Sequence, residues 1–324
     1  MPGLKKRKVK RFIWITLTAG FIGLNAIAFL HAYAFTHFSK NDAPKTQRPE
    51  QLSLGKKVKT LVKGVNNPRP RAKLPAPESY RTLKLQSNYT IECWYSGQPD
   101  TAQDDRKVKG AVALFHGYGG EKSGMLDKAA IFDSLGYDVL LVDFMGSGGS
   151  EGNTTSIGFH EAEQVKTAFD FLEQKDYPNI YLHGTSMGAA AIMKAMQDYP
   201  LKVSGLILEC PFNTMYETVG ARFDQMQLPR FPMAGLLVFW GGVQNNFWAF
   251  GHKPETYATS IKAPVLLMSG GRDKNVSLAA TQSVYRNLQG EKQLIIYPLA
   301  GHENYLNQYR AAWINDVVIF LEKL

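Results

Sequence analysis

The stretch Ile180-Tyr181-Leu182-His183-Gly184-Thr185-Ser186-Met187-Gly188-Ala189-Ala190-Ala191-Ile192-Met193 decides the fold. Its first four residues form an apolar run of strand character, and Ala189 to Asp198 carry a helical pattern. Between them Gly-x-Ser-x-Gly must turn the chain sharply from strand to helix. Such a bend strains the backbone at Ser186, and glycines at 184 and 188 remove the side chains that would clash. The Ser186 hydroxyl is then held clear of the sheet at a helix N-terminus, where free amides and the helix dipole favour negative charge. The pentapeptide alone is weak evidence, since an ordinary glycine-lined turn has the same composition. The strand before it and the helix after it make it specific.

Outward from this turn, short β-rich runs alternate with amphipathic stretches from residue 80 onward. The strand candidates are Tyr80 to Leu85, Tyr89 to Tyr95, Ala111 to Phe115, Val139 to Asp143, Ile180 to His183, Gly205 to Glu209, Pro264 to Ser269 and Gln293 to Tyr297. Helical patterns cover Met125 to Leu135, Ala162 to Gln174, Ala189 to Asp198, Leu278 to Leu288 and Tyr305 to Leu321. Continuous apolar runs such as Val139-Leu140-Leu141-Val142 suit parallel strands buried on both faces. The alternation predicts an α/β fold, a doubly wound and mostly parallel sheet preceded by an antiparallel hairpin. Ligand sites in such sheets lie beyond the C-terminal strand ends, so functional residues are expected just after the strands.

A serine hydroxyl needs a base to become nucleophilic at neutral pH, and the base needs an acid to orient it. Asp273 follows one strand in Gly270-Gly271-Arg272-Asp273, and His302 follows the last in Ala300-Gly301-His302-Glu303. Ser186, Asp273 and His302 are the expected catalytic set, with Glu209 at another strand end as a substitute acid. Loop Asp residues also cap turns, and any of the seven histidines can be merely solvated. The strand Ala111 to Phe115 ends in His116-Gly117-Tyr118-Gly119-Gly120, whose glycines let backbone approach a substrate oxygen. The amides of Tyr118 and Met187 are the expected oxyanion donors, each worth about 3 kcal/mol in a transition state. His116 reads as structural.

These motifs, together with Asp143-Phe144-Met145-Gly146-Ser147-Gly148-Gly149-Ser150-Glu151-Gly152 and Leu208-Glu209-Cys210-Pro211-Phe212, resemble the α/β-hydrolase superfamily. Within it they resemble the membrane-associated esterase and serine-aminopeptidase-like branch, over roughly residues 80 to 324. The resemblance implies the order Ser, Asp, His and a cap inserted at about 213–260. It also shows a departure: Met145 stands where relatives commonly carry Arg, which implies a missing structural ion pair. The cap stretch supplies Phe223, Met226, Leu228, Phe231, Trp240 and other apolar residues, fit either to line an acyl pocket or to pack the cap on the sheet.

The rest of the chain concerns location. Phe12 to Phe38 has no charged residue and is long enough for a transmembrane helix, a signal anchor preceded by the basic segment 1–11. Lys5, Lys6, Arg7 and Lys8 before it place the C-terminal domain on the extracytoplasmic side, although Lys40, Lys45 and Arg48 follow it. Ala32-Tyr33-Ala34 offers the alternative of a cleaved signal and a secreted enzyme. Residues 39–79 form a basic, proline-containing linker without periodicity, a stalk or strap into the domain at 80–324. The formal charge of +9 sits in the N-terminal segment and this linker, which argues against nucleic acid as a partner. Cys93 and Cys210 fit neither a disulfide framework nor a zinc pattern, and no phosphate loop or dinucleotide fingerprint occurs, so no cofactor or metal is expected.

The expected function is hydrolysis of a carboxylic ester, hydrophobic or lipid-like, through an acyl-serine. A peptidase with the same machinery is the second reading, in which Glu217 or Asp224 of the cap would hold a substrate amine. A noncatalytic membrane-tethered scaffold is the third.

Overall fold

A computed structural model of the chain describes residues 2–39, 44, 46, 53, 55, 56, 60, 64–97 and 107–324. Lys40, Lys45 and Arg48, and with them the flank that bears on membrane orientation, lie outside the described residues, as do the side chains of Lys5 and Lys6.

Eight strands form one sheet: β1 (Arg81–Gln86), β2 (Thr90–Tyr95), β3 (Gly110–Phe115), β4 (Tyr137–Val142), β5 (Ile180–Thr185), β6 (Gly205–Glu209), β7 (Val265–Gly270) and β8 (Lys292–Tyr297). Their spatial order is β1-β2-β4-β3-β5-β6-β7-β8. The β1–β2 hairpin pairs antiparallel with itself and with β4, and every pairing from β4 to β8 is parallel. Strands β3 to β7 are buried along their length apart from the half-buried Thr185 that ends β5. That is the condition under which apolar residues occupy both faces of a strand.

Two apolar layers flank the sheet. One packs under α3 (Glu161–Glu173) and α4 (Met187–Asp198) and includes Ala113, Leu182 and Leu208. The other, with Val112, Tyr181 and Ile207, lies under α2 (Leu126–Ser134) and the C-terminal α8 (Arg310–Glu322). After β6 the alternation is interrupted by a cap of two helices, α5 (Met215–Met226) and α6 (Met233–Gln244). The helix α7 (Leu278–Asn287) follows between β7 and β8.

Ahead of the sheet stands one helix, α1 (Pro2–Thr36), whose Arg7–Thr36 portion is long and apolar enough to cross a membrane. Residues 7–24 are exposed, whereas Ala28, His31, Ala32 and Thr36 are buried against the body. Trp240 Nε1 donates to Asn25 Oδ1 at 3.1 Å and Gln244 Nε2 to the Phe29 carbonyl at 2.9 Å. The N-terminal helix therefore rests on α6.

The described end of the linker is a strap laid on the domain. The Ser39 amide donates to Asn67 O at 2.8 Å and the Gly148 amide to Pro70 O at 2.9 Å. Arg69 sends its guanidinium into the glycine loop after β4, with Nη1 on Gly148 O at 2.8 Å and Nη2 on Ser150 O. The loop around Met145 has charged partners from elsewhere in the chain. Asp143 is paired with the buried Lys122, and Arg69 binds the loop's carbonyls from a distant part of the chain. Met145 is a buried apolar residue whose amide is taken by Gln164 Oε1 at 2.9 Å.

Candidate active site

Strand β5 runs straight into α4 through Ser186, which has φ 53° and ψ −109°. A non-glycine residue held there costs about 1–3 kcal/mol and persists only where its surroundings fix it. They do so through backbone contact. The Ser186 amide donates to Glu209 O at the end of β6 at 2.7 Å. A Cβ on Gly184 would come within 2.6 Å of the Ala189 nitrogen, and one on Gly188 within 2.3 Å of Phe115 O. The first turn of α4 is therefore pressed onto the end of β3, an approach that only glycine permits.

His302, in the loop after β8, places Nε2 3.0 Å from Ser186 Oγ and Nδ1 2.7 Å from Asp273 Oδ2. Asp273, in the loop after β7, has a fully buried carboxylate whose other oxygen accepts from the amides of Asn275 at 2.7 Å and Val276 at 2.9 Å. The two loops are locked together, with Gly271 N on Tyr297 O at 2.8 Å and Arg272 N on Ala300 O at 2.9 Å. Burial disfavours charge on the His302 imidazole, while the neighbouring Cys210 sulfur and the Asp273 carboxylate favour it. The net effect raises its pKa well above the ordinary 6.5.

Tyr118 and Met187, the residues expected to supply oxyanion amides, belong to the loop after β3 and to the start of α4. Met187 opens α4, where helix amides have no intrahelical acceptor. Gly117 passes so close that a Cβ there would lie 3.2 Å from Thr185 O and 3.6 Å from Ser186 Cβ, which brings the Gly117-Tyr118 backbone beside the elbow. His116 is spent structurally: its Nε2 accepts from the Phe144 amide at 3.1 Å.

Glu209, the substitute acid, is corrected by its contacts. Its oxygens take Lys128 Nζ at 2.5 Å, Trp313 Nε1 at 2.8 Å, Thr185 Oγ1 at 3.1 Å and His183 Nε2 at 3.2 Å, so it faces away from His302. Burial would raise its pKa, but the Lys128 charge and the bonded His183 hold it far below the usual carboxylate range. It braces the underside of the elbow.

Sequence reasoning missed Lys128, Trp313 and Cys210 as neighbours of the site. Cys210 has φ 40°, and its sulfur, an Asp273 oxygen and a His302 nitrogen all lie within 4.8 Å of one another. Both ring nitrogens of His302 are already engaged by Asp273 and Ser186, so these donors serve each other rather than a metal.

In the cap, Arg230 binds both Glu217 (Nη1–Oε2 2.9 Å) and Asp224 (Nε–Oδ1 2.9 Å). Phe223 is buried and Phe247 stacks on Phe159 at 4.4 Å, so part of the cap's aromatic content is structural packing. Phe231 and Trp248 remain exposed.

Residues 106–239 match the family described as serine aminopeptidase, S33. The chain is 26% identical to YqkD of Bacillus subtilis over 217 residues, 66% of this chain and 71% of YqkD. It is 29% identical to Rv2307c of Mycobacterium tuberculosis over 60% of this chain and 63% of that one. Among solved structures, esterase Pf2001 of Pyrococcus furiosus superposes with a TM-score of 0.63 at 22% identity, covering 78% of this chain and 96% of the esterase. With the eight-stranded sheet and the elbow between β5 and α4, these likenesses show an α/β-hydrolase fold.

Proposed function

We propose that the protein is a serine hydrolase that cleaves carboxylic esters, with Ser186 as nucleophile, His302 as general base and acid, and Asp273 as the residue that orients it. The observation that carries this reading is the continuous relay of hydrogen bonds from Asp273 through His302 to Ser186. Ser186 Oγ attacks the ester carbonyl carbon while its proton passes to His302 Nε2. The oxyanion that forms is stabilised by the amides of Tyr118 and Met187. Collapse expels the alcohol, which takes the proton from His302, and leaves an acyl-serine. Water then attacks that ester, gives its proton to His302, and releases the acid as Ser186 regains its hydrogen.

The aminopeptidase alternative has less support. Its amine would need an unpaired carboxylate, and both candidates, Glu217 and Asp224, are already bonded to Arg230. A noncatalytic scaffold would have no use for a strained serine backed by a base and a buried acid. The substrate is read as hydrophobic because an apolar cap rests on a helix fit to cross a membrane. In this reading residues 12–38 anchor the chain, 39–79 strap it to the domain at 80–324, and the domain lies on the extracytoplasmic face.

Labelling of the full-length chain with a fluorophosphonate tests the proposal. Wild type should be modified and Ser186→Ala should not, and ester turnover should rise with acyl length before it falls. Labelling that persists in Ser186→Ala, or folded wild type that takes no label, would overturn it.

A further inference from the structure

The loop expected to supply one oxyanion amide is Gly117-Tyr118-Gly119-Gly120, in which Tyr118 alone carries a side chain. Gly119 adopts φ 68°, and Gly120 N closes a turn on Gly117 O at 3.0 Å. A loop of this composition has many backbone states open to it, and its position depends on what holds the one side chain.

That side chain is held by the membrane-proximal part of the chain. The Tyr118 phenol donates to the Phe35 carbonyl at 2.7 Å and accepts from Asn67 Nδ2 at 2.6 Å. Phe35 lies in the last turn of α1, where carbonyls have no intrahelical donor, so the phenol caps the anchor helix. The Arg222 guanidinium, from cap helix α5, sits 4.7 Å from the Phe35 ring centroid and 5.7 Å from that of Tyr118. The Phe38 ring lies 6.0 Å away on another side. Burial pushes the phenol up to about 12, against the opposing effects of Arg222 and Asn67, so it stays a neutral donor at working pH.

We propose that the docked end of the N-terminal helix is part of the hydrolytic machinery: through its bonds to Phe35 and Asn67, Tyr118 acts as a positioning residue that fixes the oxyanion loop over Ser186. The inference rests on Ser186 being the nucleophile. It makes the hydrolase one whose turnover depends on the state of its membrane anchor, because a shift of the helix end is passed by one phenol to the backbone that must meet the developing oxyanion. Misplacement by about 1 Å at such a point can cost about 100-fold in rate.

The test is steady-state kinetics of the full-length chain on a short-chain ester, with the rate of fluorophosphonate labelling measured alongside. Tyr118→Phe keeps the ring and removes both bonds. It should lower kcat by about 10-fold or more, slow labelling in parallel, and leave KM within about two-fold, the pattern of a contact felt mainly in the transition state. Asn67→Ala, which leaves the phenol in place, should shift kcat in the same direction. Asn67→Asp should do no better, since a carboxylate cannot donate to the phenol oxygen. Thermal unfolding of each variant separates a displaced loop from a failed fold. Unchanged kcat in Tyr118→Phe, or a loss expressed only in KM, would overturn the proposal while leaving Ser186 as nucleophile. Wild type that takes no label would sink both.

Discussion

Lys128→Met tests the support beneath Ser186, the proposed nucleophile. In the native chain the Lys128 ammonium and the Glu209 carboxylate are almost fully sequestered, with side chains 4% and 0% exposed. Removing one partner of such a pair leaves a buried charge uncompensated, at a cost of about 3–5 kcal/mol. Trp313, Thr185 and His183 still donate to Glu209, which favours the lower part of that range. At about 2–4 °C per kcal/mol for a domain of this size, the midpoint of thermal unfolding should fall by about 6–20 °C. The loss has a signature in pH. Glu209 is held below its unfolded pKa in the fold, so its pairing contributes stability above that unfolded value and loses it as pH falls through the folded one. Without Lys128 the depression is relieved and protonation removes the stranded charge. The gap between wild type and variant is therefore widest near neutrality and narrows below about pH 5. Tryptophan fluorescence is a suitable probe because Trp313 touches Glu209 directly. The double variant Lys128→Met/Glu209→Leu should recover much of the loss. A single-variant shift under about 2 °C, a gap that does not change with pH, or losses that simply add in the double variant would refute the reasoning.

Three further outcomes follow from the same contacts. The acid limb of kcat/KM should lie above 6.5, because His302 must be neutral to act as base and its pKa is raised; Asp273→Asn should move that limb down and cut kcat by about 10⁴-fold. Gly188→Ala drives a Cβ to within 2.3 Å of Phe115 O, so the elbow must shift; the variant should lose fluorophosphonate labelling even where circular dichroism shows a folded chain. Arg69→Met removes charged hydrogen bonds to the carbonyls of Gly148 and Ser150. It should destabilise the domain by about 2 kcal/mol in chemical denaturation, more than expected for a residue in a free linker.

The sheet was legible because its signal is local. Each of the eight apolar runs matches an observed strand to within two residues, and Gly205–Glu209 matches at both ends. The strand expected from Val139 starts two residues earlier, where Tyr137 and Asp138 pair with Gly110 and Ala111 of β3. The run from Tyr305 to Leu321 is divided in the structure into one turn, Tyr305–Gln308, and a helix from Arg310, since Tyr309 leaves helical geometry with φ −123° and ψ 41°. The strand-end rule drew attention to Ser186, Asp273 and His302, but it could not say which way a side chain points. Successive residues of a strand face opposite sides. Glu209, last in β6, turns toward Lys128 and Trp313, while Cys210 after it turns toward His302.

The strap was illegible for a different reason. Periodicity reports elements that bury one face, and of residues 64–79 only Asn67 is fully buried. What holds this segment is a handful of polar bonds to residues about 50 to 80 positions away, Asn67 to Tyr118 and Arg69 to Gly148 among them. Bonds of this kind recur at no interval, so a docked strap and a free linker have the same composition. The same physics explains Met145. A motif comparison looks for a cation at the motif position, whereas the fold needs donors at the loop's carbonyls and does not restrict where in the chain they originate. Arg69 satisfies that need from the segment that also binds Tyr118 through Asn67. The glycine loop after β4 and the proposed oxyanion loop after β3 are thus fastened by one stretch of chain. Loss of Arg69 should consequently be felt at Ser186 through Tyr118, in kcat rather than KM, before it is felt at the sheet.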